Sequence, residues 1–371
     1  MNVLVTGSNG FVGKNLCQWI SQRRSDVTIL TYDIGSSDNL ASLCHKADFV
    51  FHLAGVNRPQ NDDDYEIGNR TLTEEVLEYC QQGKKPPILL TSSAQAVLDN
   101  PYGKSKLAAE NAVFTYASQT GSLVYVYRLP GVFGKWCRPN YNSVVATFCS
   151  NIANNLPIEI RDPDFELSLV YIDDVCRCFV EKLDTPPVQE KSFCSIQPIY
   201  NITLGQLGKI LNAFNQSRTS LQILDMSDPL IKNLHTTYLS YLQNFSYPLK
   251  THADERGCFA EFLKSNNGGQ VSVNVTKPGY TKGNHWHHTK VEKFLTVSGQ
   301  GIIRFRKIDE ANIIEYSVSG DKLEVVDIPP GYTHSISNIG ETDLVTIMWV
   351  NEIYDPSNPD TFVENIFPKE G

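Results

Sequence analysis

The sequence predicts a doubly wound α/β parallel sheet followed by an all-β jelly-roll barrel. Two patterns along the 371 residues predict this combination. In the first half, short β-branched apolar runs alternate with helical segments, which is typical of a parallel sheet covered by helices. From about residue 245, short alternating strands follow one another with turn signals and without helices, as in an antiparallel barrel. We therefore predict two domains, 1–245 and 246–371.

Composition excludes several classes of partner. The net charge is −9 at pH 7, which argues against a nucleic acid or an anionic membrane surface. No apolar run approaches the roughly 18 residues needed to span a bilayer, and the N-terminus has no signal-peptide pattern. Nine cysteines occur without a CxxC pair, which fits reduced thiols. We expect a cytoplasmic protein without nucleic-acid or membrane partners.

The first predicted strand leads directly into "TGSNGFVG", which places Gly7, Gly10 and Gly13 at the mouth of a helix. Glycines allow the backbone to approach a pyrophosphate closely. The helix N-terminus adds N–H donors and the positive end of its dipole. Four further strands are predicted along this half, in "DVTILTYD", "ADFVFHLAG", "PPILLTSS" and "LVYVYRLPG". The first half therefore reads as a Rossmann-like dinucleotide-binding domain.

A catalytic group is predicted on the helix that follows the fourth strand. Tyr102 and Lys106 lie four residues apart, so their side chains share one helix face. The preceding strand ends in serines, which offers Ser93 or Ser92 nearby. A lysine cation lowers the pKa of a neighbouring tyrosine, and the phenol can then give its proton to a developing alkoxide. The serine hydroxyl would hold the carbonyl oxygen.

These elements, together with "HLAG" at 52–55, resemble the extended short-chain dehydrogenase/reductase family of nucleotide-sugar enzymes over about residues 1–245. The resemblance implies NAD(P) binding, a Ser–Tyr–Lys catalytic group and a nucleotide-diphosphate sugar as substrate. Arg128 and Arg138 become candidates for binding the phosphates of that substrate, with salt bridges as the alternative role. The implied cofactor contacts are Gly7, Gly10, Phe11, Val12, Gly13, Thr31, Asp33, Leu53, Ala54, Gly55, Tyr102 and Lys106.

The end of the second strand bears on the choice between NADPH and NADH. Thr31 stands where many NAD-dependent members of that family carry the acid that binds the ribose. A threonine would tolerate the 2′-phosphate of NADPH, whereas Asp33, two residues on, would repel it. We expect NADPH rather than NADH.

The second half contains a predicted metal site in "GNHWHHTKVEKF". His285 and His287 are two apart on a predicted strand and point to the same side, whereas His288 points to the other. Glu292 and His334 come from other strands and complete a set of three imidazoles and one carboxylate. Such a set suits a divalent transition ion. We predict that these four residues are its ligands and that His288 is not.

The spacing of these four residues resembles the cupin superfamily. Upstream, "DERGCFAEF" resembles an element of the nucleotide-sugar epimerase branch of cupins. That resemblance implies that Arg256, Phe259 and Glu261 contact a nucleotide. It also places His285 at the position of the general base in that branch. Base and metal ligand are competing roles for this imidazole.

A 4-keto sugar nucleotide links the two predicted chemistries, because its carbonyl acidifies neighbouring C–H bonds and can itself be reduced. The whole chain resembles the bacterial bifunctional epimerase/reductases of capsular polysaccharide synthesis. The resemblance implies a zinc-bound cupin that inverts C3 of a UDP-2-acetamido-2,6-dideoxy-4-hexulose. The reductase then converts C4 to give UDP-2-acetamido-2,6-dideoxy-L-talose, a precursor of N-acetyl-L-fucosamine. It also implies a homodimer.

Three alternatives remain open at this point. The cupin could be a metal-stabilised module for sugar binding or dimerisation without catalysis. It could instead be an iron oxygenase, because three histidines and a glutamate also suit that metal. The chain could also bind NAD(P) as a sensor without turnover.

Overall fold

The computed structural model of the chain describes residues 1–59, 61, 63–184 and 193–367. The chain forms two compact units, Met1–Asn212 with Asn233–Gln243, and Ala213–Lys232 with the chain from Asn244 onward. The segment Ala213–Lys232 groups with the second unit although it precedes residue 245. A domain boundary at 245 therefore stays a prediction. Among the described helices, none has the length and apolar character needed to cross a membrane.

The first unit is built on a five-stranded sheet in which every neighbouring pair is parallel. The strands lie in the order β2-β1-β3-β4-β5. All five strands expected from the sequence are present, which confirms the doubly wound α/β class. They are β1 (Asn2–Thr6), β2 (Thr28–Tyr32), β3 (Phe49–His52), β4 (Ile88–Ser93) and β5 (Val124–Leu129).

Helices follow these strands, and a smaller sheet contains β6 (Gly131–Phe133), β7 (Glu166–Tyr171) and β8 (Tyr200–Thr203). A π-helical turn, Glu66–Thr71, precedes the fourth helix. The helices are α1 (Phe11–Arg23), α2 (Leu40–Lys46), α3 (Asp63–Tyr65), α4 (Leu72–Gln82), α5 (Pro101–Thr120), α6 (Val144–Ala153), α7 (Ile172–Glu181), α8 (Leu204–Ser220) and α9 (Pro229–Leu239).

The strand order determines where a ligand can bind. The chain leaves β1 toward β2 on one side and returns to β3 on the other, so the order reverses between β1 and β3. Ligands of open α/β sheets bind outside the carboxyl ends of the strands at such a reversal. The glycine turn follows β1 and Leu53–Gly55 follows β3, so both lie at this point.

The second unit contains two sheets whose strands pair antiparallel, except for β9, which runs parallel to β11. One has the order β10-β11-β12-β19-β14-β17, with β9 beside β11, and the other has the order β16-β15-β18-β13-β20. Their buried apolar side chains form one cluster with members from both sheets, so the sheets pack face to face as in a jelly roll. The strands are β9 (Gln222–Ile223), β10 (Thr251–Asp254), β11 (Gly257–Ser265), β12 (Gly269–Thr276), β13 (Thr281–Trp286), β14 (Glu292–Ser298), β15 (Gln300–Lys307), β16 (Ile313–Ser319), β17 (Val325–Ile328), β18 (Tyr332–Asn338), β19 (Leu344–Val350) and β20 (Phe362–Val363).

Strand β12 turns its polar face inward. Gln270, Ser272 and Asn274 are buried, whereas the valines between them are only half-buried. The reverse is usual for a strand of a hydrophobic core. Buried polar side chains on an inner sheet face are typical of a barrel that encloses a ligand cavity rather than a fully packed core.

Candidate active sites

The turn between β1 and α1 depends on glycine at two positions. Gly7 has a φ of +72° and donates its N–H to the oxygen of Tyr32 at 2.7 Å. A Cβ on Gly7 would lie 2.7 Å from the nitrogen of Ala54, and one on Gly13 would lie 2.1 Å from the oxygen of Gly7. The turn therefore packs directly against the loop after β3. Gly10 precedes α1, which begins at Phe11, so the first N–H groups of α1 open toward this crevice.

Thr31 and Asp33 line one cavity of about 560 Å³ beside the glycine turn. The carboxylate of Asp33 accepts hydrogen bonds from the Ser8 hydroxyl and, at 3.1 Å, from the Asn9 N–H. Lys14 lines the same cavity. Lys14 was not among the residues predicted from the sequence, because the side chain that binds the cofactor ribose was expected only after the second strand.

Ser93, Tyr102 and Lys106 are brought together at the end of β4. The Ser93 hydroxyl is near enough to the Tyr102 phenol to lower its pKa. Ser92 points away from the phenol and donates to the buried carboxylate of Glu110 at 2.5 Å. Of the two serines offered by the sequence, Ser93 is therefore the one beside the tyrosine.

The pKa of Tyr102 is raised, whereas the sequence predicted that Lys106 would lower it. Burial raises the pKa of Tyr102, and the Ser93 hydroxyl only partly opposes that shift. The side chain of Lys106 is 6% exposed and donates to the oxygen of Thr91 at 3.3 Å. Burial lowers its pKa to about 8, while Glu110 acts in the opposite direction. At neutral pH the phenol stays protonated, as a proton donor must be, and most of the lysine stays charged.

Asn69, in the π-helical turn, supports this group and was not predicted from the sequence. Its amide accepts from the N–H of Val56 at 2.9 Å and donates to the Ser105 hydroxyl at 3.0 Å. A Cβ on Gly55 would lie 2.7 Å from the Asn69 oxygen and 3.0 Å from the Lys106 nitrogen. The loop after β3 is therefore tied to the helix that carries Tyr102. No local pattern in the sequence marks a π-helical turn.

The two candidate phosphate-binding arginines differ in environment. Arg128 forms a two-point ion pair with Glu110, at 2.6 and 2.9 Å, and stacks on the Phe193 ring at 3.9 Å. Its charge is therefore already neutralised, which favours the salt-bridge role over phosphate binding. Arg138 is exposed beside the Tyr141 ring, at 5.4 Å from its centre, and stays a candidate.

In the second unit, His285, His287, Glu292 and His334 form one group. Their potential ligand atoms all lie within 4.8 Å of one another. β13 ends at Trp286, so His287 lies just beyond the strand rather than on it as predicted. The other three residues lie on β13, β14 and β18, and His285 pairs directly with His334.

The chemistry of these four side chains fits a divalent transition ion. His287 Nε2, His334 Nε2 and Glu292 Oε2 are buried and have no hydrogen-bond partner among the described residues. Glu292 Oε2 lies 3.1 Å from His334 Nε2 and 3.6 Å from His287 Nε2. Burial raises the pKa of the Glu292 carboxyl, but the imidazoles of His287 and His334 lower it by more. The net pKa therefore lies below the usual range of a glutamate. Burial and the neighbouring His334 lower the pKa of His285 to about 4. Imidazoles and a carboxylate oxygen without hydrogen-bond partners are donors that suit zinc and other divalent transition ions.

His288 lies outside this group. Its ring is exposed and packs against Trp286 and Phe362, with ring centres 4.4 and 4.9 Å apart.

The four-residue group opens into a cavity of about 610 Å³ between the two sheets. Arg256, Phe259 and Glu261 line the same cavity. Arg256 is paired with Asp254 at 2.6 Å, and Glu261 is paired with Lys264 at 2.7 Å. The residues that the sequence linked to a nucleotide thus share one cavity with the predicted metal ligands.

Lys282 also lines this cavity and was not predicted from the sequence. Its ammonium group donates to the oxygens of Cys258 and Val275 and to the Asn274 side chain, at 2.8 to 3.2 Å. These are all neutral oxygens, and burial lowers the pKa of the lysine. A bulge between Gly283 and His285 shifts the register by one residue, which brings Lys282 and His285 to the same strand face.

Comparison with known proteins links both units to sugar chemistry. The NAD dependent epimerase/dehydratase family matches residues 3–202, and the polysaccharide biosynthesis C-terminal domain matches residues 252–362. A UDP-2-acetamido-2,6-beta-L-arabino-hexul-4-ose reductase of Pseudomonas aeruginosa is 44% identical over 98% of both chains.

Solved structures are similar to this chain over either its whole length or its first part. The capsular polysaccharide assembling protein CapF from Staphylococcus aureus is 50% identical, with a TM-score of 0.92 over 98% of this chain and 100% of that one. A UDP-glucuronic acid 4-epimerase from Bacillus cereus, solved with NAD, matches 65% of this chain and 98% of its own, with a TM-score of 0.55. At 18% identity, that match indicates a shared fold alone.

Proposed function

Because the chain belongs to the NAD dependent epimerase/dehydratase family, we propose that it reduces a UDP-linked 4-keto-6-deoxy amino sugar for polysaccharide synthesis. The observation that carries the proposal is the position of Ser93 beside Tyr102, with Lys106 one helical turn further on. The similarity to a UDP-keto-sugar reductase over 98% of both chains supports the substrate class.

In this reaction, side chains of the first unit would bind and protonate the carbonyl oxygen of the substrate. A nicotinamide cofactor bound at the glycine turn would supply the hydride. The Ser93 hydroxyl would hold the carbonyl oxygen, and the protonated phenol of Tyr102 would donate its proton as negative charge develops there. Lys106 then stabilises the phenolate that is left, because its cation lies on the same face of α5. The high pKa of the free phenol is therefore compatible with catalysis.

We further propose that the second unit epimerises C3 of the same UDP-2-acetamido-2,6-dideoxy-4-hexulose before reduction. The ketone acidifies the C3 hydrogen, so a base could remove that proton to give the enolate, and a proton could then return to the opposite face of C3. That acidity is lost once C4 is reduced, so epimerisation must come first. A zinc ion held by His285, His287, Glu292 and His334 would supply positive charge for the developing enolate. The product would be UDP-2-acetamido-2,6-dideoxy-L-talose.

Proton NMR of the 4-keto substrate in D2O tests both halves at once. Without NADPH, the C3 proton signal should disappear as deuterium is incorporated. With NADPH, the C4 carbonyl should be converted to a new alcohol. Reduction without any exchange at C3 would contradict the epimerase and favour a cupin that only binds sugar or forms the dimer interface.

Lys282 is expected to stabilise negative charge on the substrate in the cavity. Lys282→Met should slow deuterium incorporation by about 10²–10³-fold, the usual cost of removing one donor to a developing oxyanion. Metal content should remain unchanged, because Lys282 is not among the four ligand residues. Lys293→Met, which alters an exposed lysine paired with Asp327, is the matched control. Normal exchange in folded Lys282→Met would contradict this role.

We propose NADPH as the preferred cofactor on the basis of Thr31. Thr31→Asp should shift the ratio of kcat/KM values toward NADH, because a carboxylate repels the 2′-phosphate and binds the ribose hydroxyls. Steady-state kinetics with both cofactors measure the shift. A wild-type preference for NADH would instead favour Asp33 as the residue that reads the ribose.

We also propose a homodimer. The outer face of the larger sheet carries half-buried apolar side chains in adjacent registers, Val271 beside Trp349 and Val273 beside Ile347. Such a face is typical of a surface covered by a second copy. Sedimentation equilibrium that gives the mass of a single 41.6 kDa chain would contradict it.

A further inference from the structure

The stretch that carries two of the four predicted ligands is irregular. In β13 the register shifts between Gly283 and His285, where Asn284 has a left-handed φ of +58°. The strand then ends at Trp286, and His287 begins the turn that leads to β14. The main-chain oxygen of His287 accepts one hydrogen bond, from the Gly331 N–H at 2.9 Å. No ladder of main-chain hydrogen bonds continues along the turn, so its ligand nitrogen needs further contacts to hold it in place.

Those contacts come from a C-terminal segment, residues 359–366, which we call the strap. Its strand β20 pairs with the last two residues of β13. Beyond β20, Glu364 donates its N–H to the oxygen of Asn284, at the bulge itself. The buried guanidinium of Arg306 holds the end of the strap, donating to the oxygens of Asn365 and Ile366 at 2.9 Å.

One residue of the strap, Asp360, contacts the ligand His287 directly. Its main-chain oxygen lies 2.6 Å from His287 Nδ1. An oxygen of this kind can only accept, so Nδ1 must carry the proton. Nε2 is then the unprotonated nitrogen, and its lone pair is available to a metal ion held by the four predicted ligands. This nitrogen is buried and has no hydrogen-bond partner among the described residues.

The side chain of Asp360 holds the turn that follows His287. Its Oδ1 accepts from the N–H of His288 at 3.0 Å. Its Oδ2 accepts from the N–H groups of Thr289 and Lys290, both at 2.9 Å, and from the Thr289 hydroxyl at 3.1 Å. One carboxylate thus binds three successive main-chain N–H groups. The Lys290 ammonium, in turn, donates to the oxygen of Pro359 at 2.8 Å.

We propose that Asp360 is a positioning residue for the metal site. Its main-chain oxygen fixes the tautomer of His287, and its carboxylate fixes the turn on which that imidazole is mounted. The inference rests on the proposed metal site and extends it to a residue more than 70 positions away in the sequence. Partners that orient metal-binding histidines in this way typically contribute about 10–100-fold to metal affinity.

Metal affinity of the folded, full-length protein tests the proposal. In Asp360→Ala, the zinc dissociation constant, measured by competition with a chromophoric chelator, should rise by about 10–100-fold. The visible absorption bands of bound Co²⁺ should also change, because the turn that carries His287 loses the carboxylate that binds its N–H groups. A role in folding alone would lower the melting temperature of the metal-free protein without altering those bands.

Two milder variants keep the test decisive if Asp360→Ala fails to fold. Asp360→Ala and Asp360→Asn both keep the main-chain oxygen, but Asp360→Asn also keeps one side-chain acceptor oxygen for the turn, so it should weaken binding less than alanine does. Thr289→Val removes only the hydroxyl contact and should change affinity a few-fold at most. Asp355→Ala is the matched control, because Asp355 also accepts from a main-chain N–H and a hydroxyl, both of Ser357. It should bind metal as the wild type does.

Two results would count against the proposal in different ways. Wild-type affinity and unchanged Co²⁺ bands in folded Asp360→Asn, and in Asp360→Ala where it folds, would overturn the role of Asp360 alone. A wild-type protein that binds neither Zn²⁺ nor Co²⁺ would contradict the proposed metal site itself, and the positioning role with it.

Discussion

Tyr102→Phe should slow NADPH oxidation with the UDP-4-keto sugar by about 10²–10⁴-fold, because the variant lacks the proton donor to the new alkoxide. Exchange of the C3 proton for deuterium should continue at the wild-type rate, since the phenol serves only the reduction. Parallel assays of NADPH absorbance and of the C3 proton signal in D2O separate the two reactions. The expected result would assign the reduction to the first unit and the C3 exchange to the second.

Tyr65→Phe is the matched control for this variant. The Tyr65 ring packs against Tyr102, with ring centres 5.6 Å apart, but its hydroxyl donates to the oxygen of Asn57. Removal of that hydroxyl should therefore leave reduction largely intact. If exchange and reduction disappear together in folded Tyr102→Phe, the assignment of separate sites is wrong.

Much of the first unit could be predicted because its signals are local. Five apolar runs read as buried strands and became the five strands of the parallel sheet. The glycine spacing partly reflects a local contact, because a Cβ on Gly13 would meet the oxygen of Gly7. Tyr102 and Lys106 share a helix face by simple periodicity. Such features depend on short stretches of chain, and short stretches are what a sequence pattern describes.

Features that depend on distant contacts could not be predicted in the same way. The pairing of Arg128 with the buried Glu110 requires β5 and α5 to be adjacent, and a phosphate ligand was an equally reasonable expectation. Lys282 and His285 share one strand face only because of the bulge at Asn284. The inward polar face of β12 follows from the cavity that it lines, since the same alternation of valines fits either orientation.

The proposed metal site was predictable in part only. Motif spacing identified the four residues that the structure brings within 4.8 Å of one another. The assumed geometry was wrong in one respect, because His287 lies after the strand and is held by Asp360 rather than by the ladder of β13. Residue type and approximate spacing therefore carried the prediction, while the support from the strap is visible only in three dimensions.

His287→Ala should lose the bound metal, because removing one ligand typically costs several kcal/mol of metal affinity. Deuterium exchange at C3 should be lost with it. Reduction of a substrate already in the correct C3 configuration, and binding of NADPH, should both persist. Elemental analysis of the purified variant, together with NMR in D2O, measures these effects.

His288→Ala is the sharpest control, because it removes the same type of side chain from the adjacent position. The His288 ring is exposed and packs on Trp286 and Phe362. The contact of His288 with Asp360 uses only its main-chain N–H, which alanine retains. This variant should therefore keep both metal and exchange. Equal metal content in the two variants, or loss from His288→Ala alone, would refute the assignment, because one exposed ring cannot replace a buried nitrogen that faces Glu292 and His334.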